Sequence, residues 1–280
     1  MRTHRPLHFA IRGLLVALLS TAALATPAQR TTQRLIVSGN YAIALSDKDL
    51  VVRRGVVLAF SARAFAAAQQ AALDRQLGSD GDTVSLRHRF SFVSLTGTLL
   101  AIRDDVVTNE DAPLPGATAR LWTIDLRQQP VYRFANEEPL RPLPGDRTLL
   151  DLRHVFGAPF LATAIGSTDL GARMSDSPAR RDIEHVLSDL SRRGMASGHC
   201  FEADKNITSS FAIVGRAGRL LTVRLGLPGR PTCRGALTTL DITLPAKGGA
   251  PHILAGSSIV TGTGDLPVAE VRTATPRLRR

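Results

Sequence analysis

Seven histidines and two cysteines are the side chains in this 280-residue protein best suited to nucleophilic or metal chemistry, and few of them stand together. In residues 192–206, RRGMASGHCFEADKN, His199 directly precedes Cys200; the other cysteine, Cys233, lies in GRPTCRG. A cysteine nucleophile needs a lowered pKa and a base oriented by a third group. Neighbours in an extended chain point opposite ways, so His199 gives Cys200 little help. In an exported chain two cysteines most simply form a disulfide, Cys200–Cys233, worth about 3 to 4 kcal/mol by loop-closure entropy. A reactive thiol or a metal ligand are the alternatives. His88 falls on the apolar face of an alternating segment, where a core histidine is the expectation. His154 sits in LRHVFG, and His185 beside Glu184 lacks the second histidine of a zinc-protease helix. The candidates for a site are therefore His199, His154 and His88, with no catalytic residue, metal or cofactor assigned.

The other chemistry-bearing patterns are missing. There is no Gly-x-Ser-x-Gly elbow, phosphate-binding Gly-x-x-x-x-Gly-Lys loop or Gly-x-Gly-x-x-Gly turn; TGTGDL lacks the later glycine. Asp104-Asp105 and Glu137-Glu138 are adjacent acids, but neighbours on a strand face opposite sides and cannot flank one bond.

The N-terminus sets the compartment. Arg2, Arg5 and Arg12 precede an apolar run from Gly13 to Leu19, and Ala23-Leu24-Ala25 has the small-x-small form of a signal-peptidase site. Residues 1–25 are read as a signal peptide, with a soluble periplasmic or secreted chain following and no transmembrane segment. Three arginines and no acids leave with that peptide, so a formal charge of +11 becomes +8. A basic protein outside the cytoplasm meets anionic lipopolysaccharide, phospholipid head groups or cell-wall polymer first. The arginines have no interleaved aromatic platform, so nucleic acid is not an expected partner.

The pattern along the chain is mixed. RLIVS, YAIAL, LVVR and VVLAF, separated by GN, SDKD and RRG, predict a small antiparallel meander between Leu35 and Phe60. SARAFAAAQQAALDRQLGS predicts a helix of about four turns capped by Ser61. TVSLRHRFSFVS alternates, with Val84, Leu86, His88, Phe90 and Phe92 on one face and Arg87 and Arg89 on the other. TLLAIRDDVVTNE, ARLWTIDL and VYRF continue as strands, and TLLDLRHVFG reads as a short helix or loop. DSPARRDIEHVLSDLSRRG predicts a helix with Ser177 as cap, Pro178 in the first turn, a stripe of Ile183, Val186, Leu187 and Leu190, and Gly194 as its end. ITSSFAIVG, RLLTVRLGL, ALTTLDITLP and HILAGSSIV are further strands. The expected class is α+β, with antiparallel β-sheets and one or two packed amphipathic helices. The expected organisation is a signal peptide (1–25), an N-terminal β-rich unit with one helix (26–110), a C-terminal α+β unit (111–260) and a basic disordered tail (261–280).

ARLWTIDLRQQPVYRF, LLDLRHVFG, a helix and SSFAIVGRAGRLLTVRLGLPGRP…ALTTLDITLP together resemble the envelope domain of unknown function found in the RsiV anti-sigma factor and beside the catalytic domain of the PdaC deacetylase. Ile124-Asp125-Leu126, Leu152 to Phe156 and Ile242 to Pro245 occupy the places of that family's short motifs, over about residues 119–245. Where the family carries Gly-Gly-Ala-His, this chain has Pro115-Gly116-Ala117-Thr118, so the histidine that could serve a site is missing. The resemblance implies an α+β envelope module that binds something, and no reaction.

The expected function is a non-catalytic periplasmic or secreted module that binds peptidoglycan or another anionic cell-wall or envelope component. The alternatives are an envelope enzyme, which would need a histidine and a carboxylate converging in a pocket, and a sensor or inhibitor of a protein partner, which would show an exposed apolar patch.

Overall fold

The computed structural model describes residues 34–77, 84–108, 117–128, 132, 134, 148–156, 158–168, 183–196, 198, 201, 205–229, 237–246 and 258–273. His199, Cys200 and Cys233 lie outside them, as does the side chain of His154.

The expected meander forms a four-stranded antiparallel sheet of β1 (Arg34–Ser38), β2 (Tyr41–Leu45), β3 (Leu50–Arg54) and β4 (Val57–Ser61), in that order. Alternation gives β2 and β3 a buried side, with Tyr41, Ile43, Leu45, Leu50 and Val52 in the core, and Phe60 of β4 joins them. Two-residue turns join β1 to β2 and β3 to β4. At the second, Gly55 has φ +59°, the first central position of a hairpin turn that a side chain would strain.

Helix α1 (Ala62–Leu77) follows directly. Ala62, Phe65, Ala66, Gln69, Gln70 and Leu73 recur at helical spacing and are all buried, so the middle of its inward stripe is polar. Phe65 is the aromatic anchor, edge-on to Phe90, Trp122, Tyr132 and Phe134 with ring centroids 5.0–6.0 Å away.

The central sheet holds β5 (Leu86–Thr96), β6 (Leu99–Thr108) and β7 (Ala117–Asp125) in antiparallel order, with β11 (Ile259–Thr261) and β12 (Ala269–Arg272) both paired to β5. Leu86, His88, Phe90 and Phe92 face inward as the alternation requires. A bulge between Phe92 and Ser94 turns Ser94 and Thr96 toward the third sheet, where both hydroxyls donate to the Ile213 carbonyl, at 2.7 and 3.3 Å.

That third sheet is β10 (Leu237–Pro245), β9 (Leu220–Pro228) and β8 (Phe211–Ala217). One face meets the central sheet through Ala212 and Val214 against Ala101, Leu121 and Val93. The other, with Phe211, Ile213, Val223, Leu225, Ile242 and Leu244, packs on α2 (Leu152–Val155), α3 (Ala158–Gly166) and α4 (Ile183–Ala196). The 3₁₀ helix Lys205–Ser209 leads into β8. The protein is therefore α+β, built of antiparallel sheets and packed helices.

Three details differ from the sequence expectation. The proposed division at residue 110 falls inside the central sheet, because β7 pairs with β6 from Val107↔Ala117 to Leu99↔Asp125. The tail expected to be disordered from 261 supplies β12, whose Ala269 and Val271 are buried in the same core as Phe65 and Phe90. Charged residues on a short edge strand hide this contribution, since only alternate residues face inward. Helix α4 also runs through Gly194 to Ala196; glycine weakens a helix interior but does not forbid it.

Candidate functional site

Antiparallel pairing places Phe90 opposite Asp104, so His88 and Asp104 become diagonal neighbours on the inward face. His88 Nδ1 lies 3.0 Å from Asp104 Oδ1, and both side chains are wholly buried. Gln69 of α1 donates to the other carboxylate oxygen at 2.8 Å. The His88 ring stacks on Phe90 with centroids 5.3 Å apart, and its Nε2 has no hydrogen-bond partner. A carboxylate on Nδ1 is how a catalytic base is oriented, with Nε2 left as the working atom. Here Nε2 is enclosed by protein, and a base must come within hydrogen-bond reach of substrate. Asp104, Gln69 and His88 therefore form a buried polar group that fixes α1 on the central sheet.

Gln70 makes the neighbouring attachment. Its Nε2 donates to the Val84 carbonyl at 2.7 Å, and its Oε1 accepts from Leu86 N–H at 3.0 Å and from the Thr273 hydroxyl at 2.7 Å. One helix side chain thus ties the start of β5 to the end of β12. Beside it, an open groove of about 540 Å³ runs between α1 and β12, lined by Arg63, Gln70, Asp74, Glu270 and Arg272. Both charge signs line it.

Neither glutamine carries a sequence signal of its own, and Asp104 stands in the sequence as half of an adjacent acid pair. An acid at the inward position of Leu100-x-Ile102-x-Asp104 was the available signal. Asp105 points the other way, as strand geometry demands, and takes Arg103 at 2.8 Å. His185 is exposed and makes no site. His154 is in α2, whose N-cap is Asp151.

Asp151 accepts from Arg153 N–H at 2.8 Å, Arg153 Nη2 at 2.9 Å and the Thr208 hydroxyl at 3.1 Å, joining α2 to the 3₁₀ helix. Burial pushes its carboxyl up, but the Arg153 side-chain and backbone hydrogen bonds, the guanidinium charge and Thr208 outweigh that and hold it below the ordinary range. Arg120 of β7 lies over the Trp122 ring, 4.4 Å from its centroid, and hydrogen-bonds the Ser209 hydroxyl.

The outer face of the central sheet is different in kind. Arg89 meets Glu270 at 3.5 Å and Arg103 meets Asp105. Arg87 stands directly opposite Arg272 across the β5–β12 pair, both exposed. Among the described residues neither forms an ion pair. Like charges directly opposite on adjacent strands repel, and the nearby carboxylates are already engaged.

Among the described residues no group of three histidine, cysteine or acidic side chains is placed to hold a metal ion, and no helix is long and apolar enough to cross a membrane. No protein family, curated protein sequence or solved structure matches the chain.

Proposed function

We propose that this protein is a non-catalytic envelope module, periplasmic or secreted, that binds an anionic cell-wall or envelope component through the outer face of β5 and β12. The carrying observation is that Arg87 and Arg272 stand directly opposite one another in the β5–β12 register, both exposed and neither in an ion pair among the described residues. An anionic group seated across them relieves the repulsion and takes paired hydrogen bonds that a guanidinium presents in a fixed fork. The N-terminal signal pattern, the charge of +8 after its removal and the resemblance to the RsiV/PdaC envelope domain support the same reading. The burial of His88 and Asp104 argues against an enzyme built on that pair.

The test is retention on peptidoglycan sacculi at low salt and at 0.5 M, where the screening length shrinks to roughly 4 Å. The wild type is expected to bind at low salt and be released at high salt. Arg87→Gln with Arg272→Gln is expected to weaken retention about tenfold, the effect of about 1.4 kcal/mol. Arg219→Gln, at the β8–β9 turn, serves as the control and is expected to change little. Binding that survives high salt, or a double variant that binds like wild type, would overturn the proposal.

A further inference from the structure

Among the described residues, six large apolar side chains stand exposed, and five of them belong to the first sheet: Leu35 and Val37 on β1, and Val56, Val57 and Leu58 around the β3–β4 turn. Val56, at the turn itself, is 93% exposed. Scattered exposed apolar residues are normal, but a cluster on one element marks an interaction surface.

Acidic charge is confined to one end of the same sheet. Arg53 and Arg54 immediately precede the turn, both are exposed, and among the described residues neither forms an ion pair. The acids within residues 34–61 are Asp47 and Asp49, both in the β2–β3 connection at the opposite end of the strands. The tip end, which also carries Ser38 and Asn40 of the β1–β2 turn, therefore presents apolar, basic and neutral polar groups and no acid. Strand register sets Val37, Ala42, Arg53 and Leu58 in one row across the outer face, while Val57, opposite Arg54, faces the other way. Each face of the hairpin end thus carries an apolar side chain beside an arginine, Leu58 with Arg53 and Val57 with Arg54. A protein partner laid against the sheet would cover one side, whereas a lipid interface meets the sheet end on both faces and neutralises its arginines.

We infer that the β3–β4 hairpin is a docking tip for an anionic bilayer surface, inserting Val56, Val57 and Leu58 among the lipid head groups while Arg53 and Arg54 meet their phosphates. This surface is separate in sequence and in sheet from the Arg87–Arg272 pair, and the inference does not rest on sacculus binding.

Co-sedimentation of the full chain, as its host releases it, with phosphatidylglycerol–phosphatidylethanolamine vesicles tests the assignment, with phosphatidylcholine vesicles as the neutral comparison. The wild type is expected to partition to the anionic vesicles and to dissociate with added salt. Val56→Asp is expected to reduce partition about tenfold, from lost apolar burial and added like charge; at this exposure it leaves the core intact. Arg53→Gln with Arg54→Gln is expected to abolish the preference for anionic over neutral vesicles. Val56→Trp is expected to strengthen partition and to shift indole emission to the blue when vesicles are added.

Failure of the wild type to partition overturns the inference. Partition with Val56→Trp emission unchanged overturns it too, because another surface then makes the contact. A Val56→Asp variant that still sediments normally with anionic vesicles, or a tip-dependent association of protein copies without lipid, has the same consequence. Val56→Asp is expected to keep its sacculus retention, so loss of either binding reports on its own surface.

Discussion

Asp104 and Asp105 are neighbours in sequence and opposites in environment. Asp104 accepts from Gln69 and pairs with His88 Nδ1 with no exposure, whereas Asp105 shares an ion pair with Arg103 at the half-buried surface. Removing a buried acceptor leaves its donors unpaired, at about 1–3 kcal/mol each, whereas an exposed ion pair contributes about 0–1 kcal/mol. Asp104→Ala is therefore expected to lower unfolding free energy by about 2–4 kcal/mol in a urea titration, and Asp105→Ala by under about 1 kcal/mol. Equal losses would show that the His88–Asp104–Gln69 contacts contribute little. Hydrophobic alternation alone placed His88 on the inner face, because that pattern is local. Its partners come from another strand and from a helix, so only their register could supply them.

At the scale of elements, the closing strands matter most. Gly262 N–H donates to the Val93 carbonyl at 2.7 Å beside the β5 bulge, and a Cβ added at Gly262 would lie 2.2 Å from the Phe92 carbonyl oxygen. Both groups are backbone, so no side-chain rotation relieves the clash. Gly262→Ala is expected to cost about 1–3 kcal/mol and to speed hydrogen exchange in β11 and β12. Gly264→Ala, with nothing within 4 Å of the added atom, is the control. If both variants exchange alike, the tail is not held at that point. Helix α3 shows a different kind of concealment: APFLATAIG is apolar all round and carries an early proline, so it offers no stripe for periodicity to detect.

For the whole molecule, stability against acid follows from where the carboxyls sit. Asp151 is held below its ordinary value in the folded chain. The unfolded state therefore binds its proton more readily. Its contribution is complete above the unfolded value of about 4 and is lost as pH falls through the lower native one. Asp49 has the opposite sign: burial raises it, against the backbone hydrogen bonds and the Arg63 charge that lower it, so acidification through its native value favours the fold. Chemical denaturation from pH 5 down to about pH 2 is expected to show wild type losing stability more steeply than Asp151→Asn. Parallel curves would remove Asp151 from the acid response. The cross-sheet bonds of Ser94 and Thr96 to Ile213 place the central and third sheets in one packed structure, which is why the division expected at residue 110 does not hold.

The sequence by itself determined the α+β class, the first meander, the inward face of β5 and the buried stripe of α4 at Val186, Leu187 and Leu190. Turn residues and periodicity act over a few positions, and the unfolded chain already carries them. Tertiary structure alone decided that Asp104 meets His88, that Arg272 stands against Arg87, and that residues 259–272 complete the central sheet. Those pairings join segments up to 185 positions apart, as Arg87 and Arg272 are. They are set by which apolar faces bury one another, and local spacing does not encode that choice.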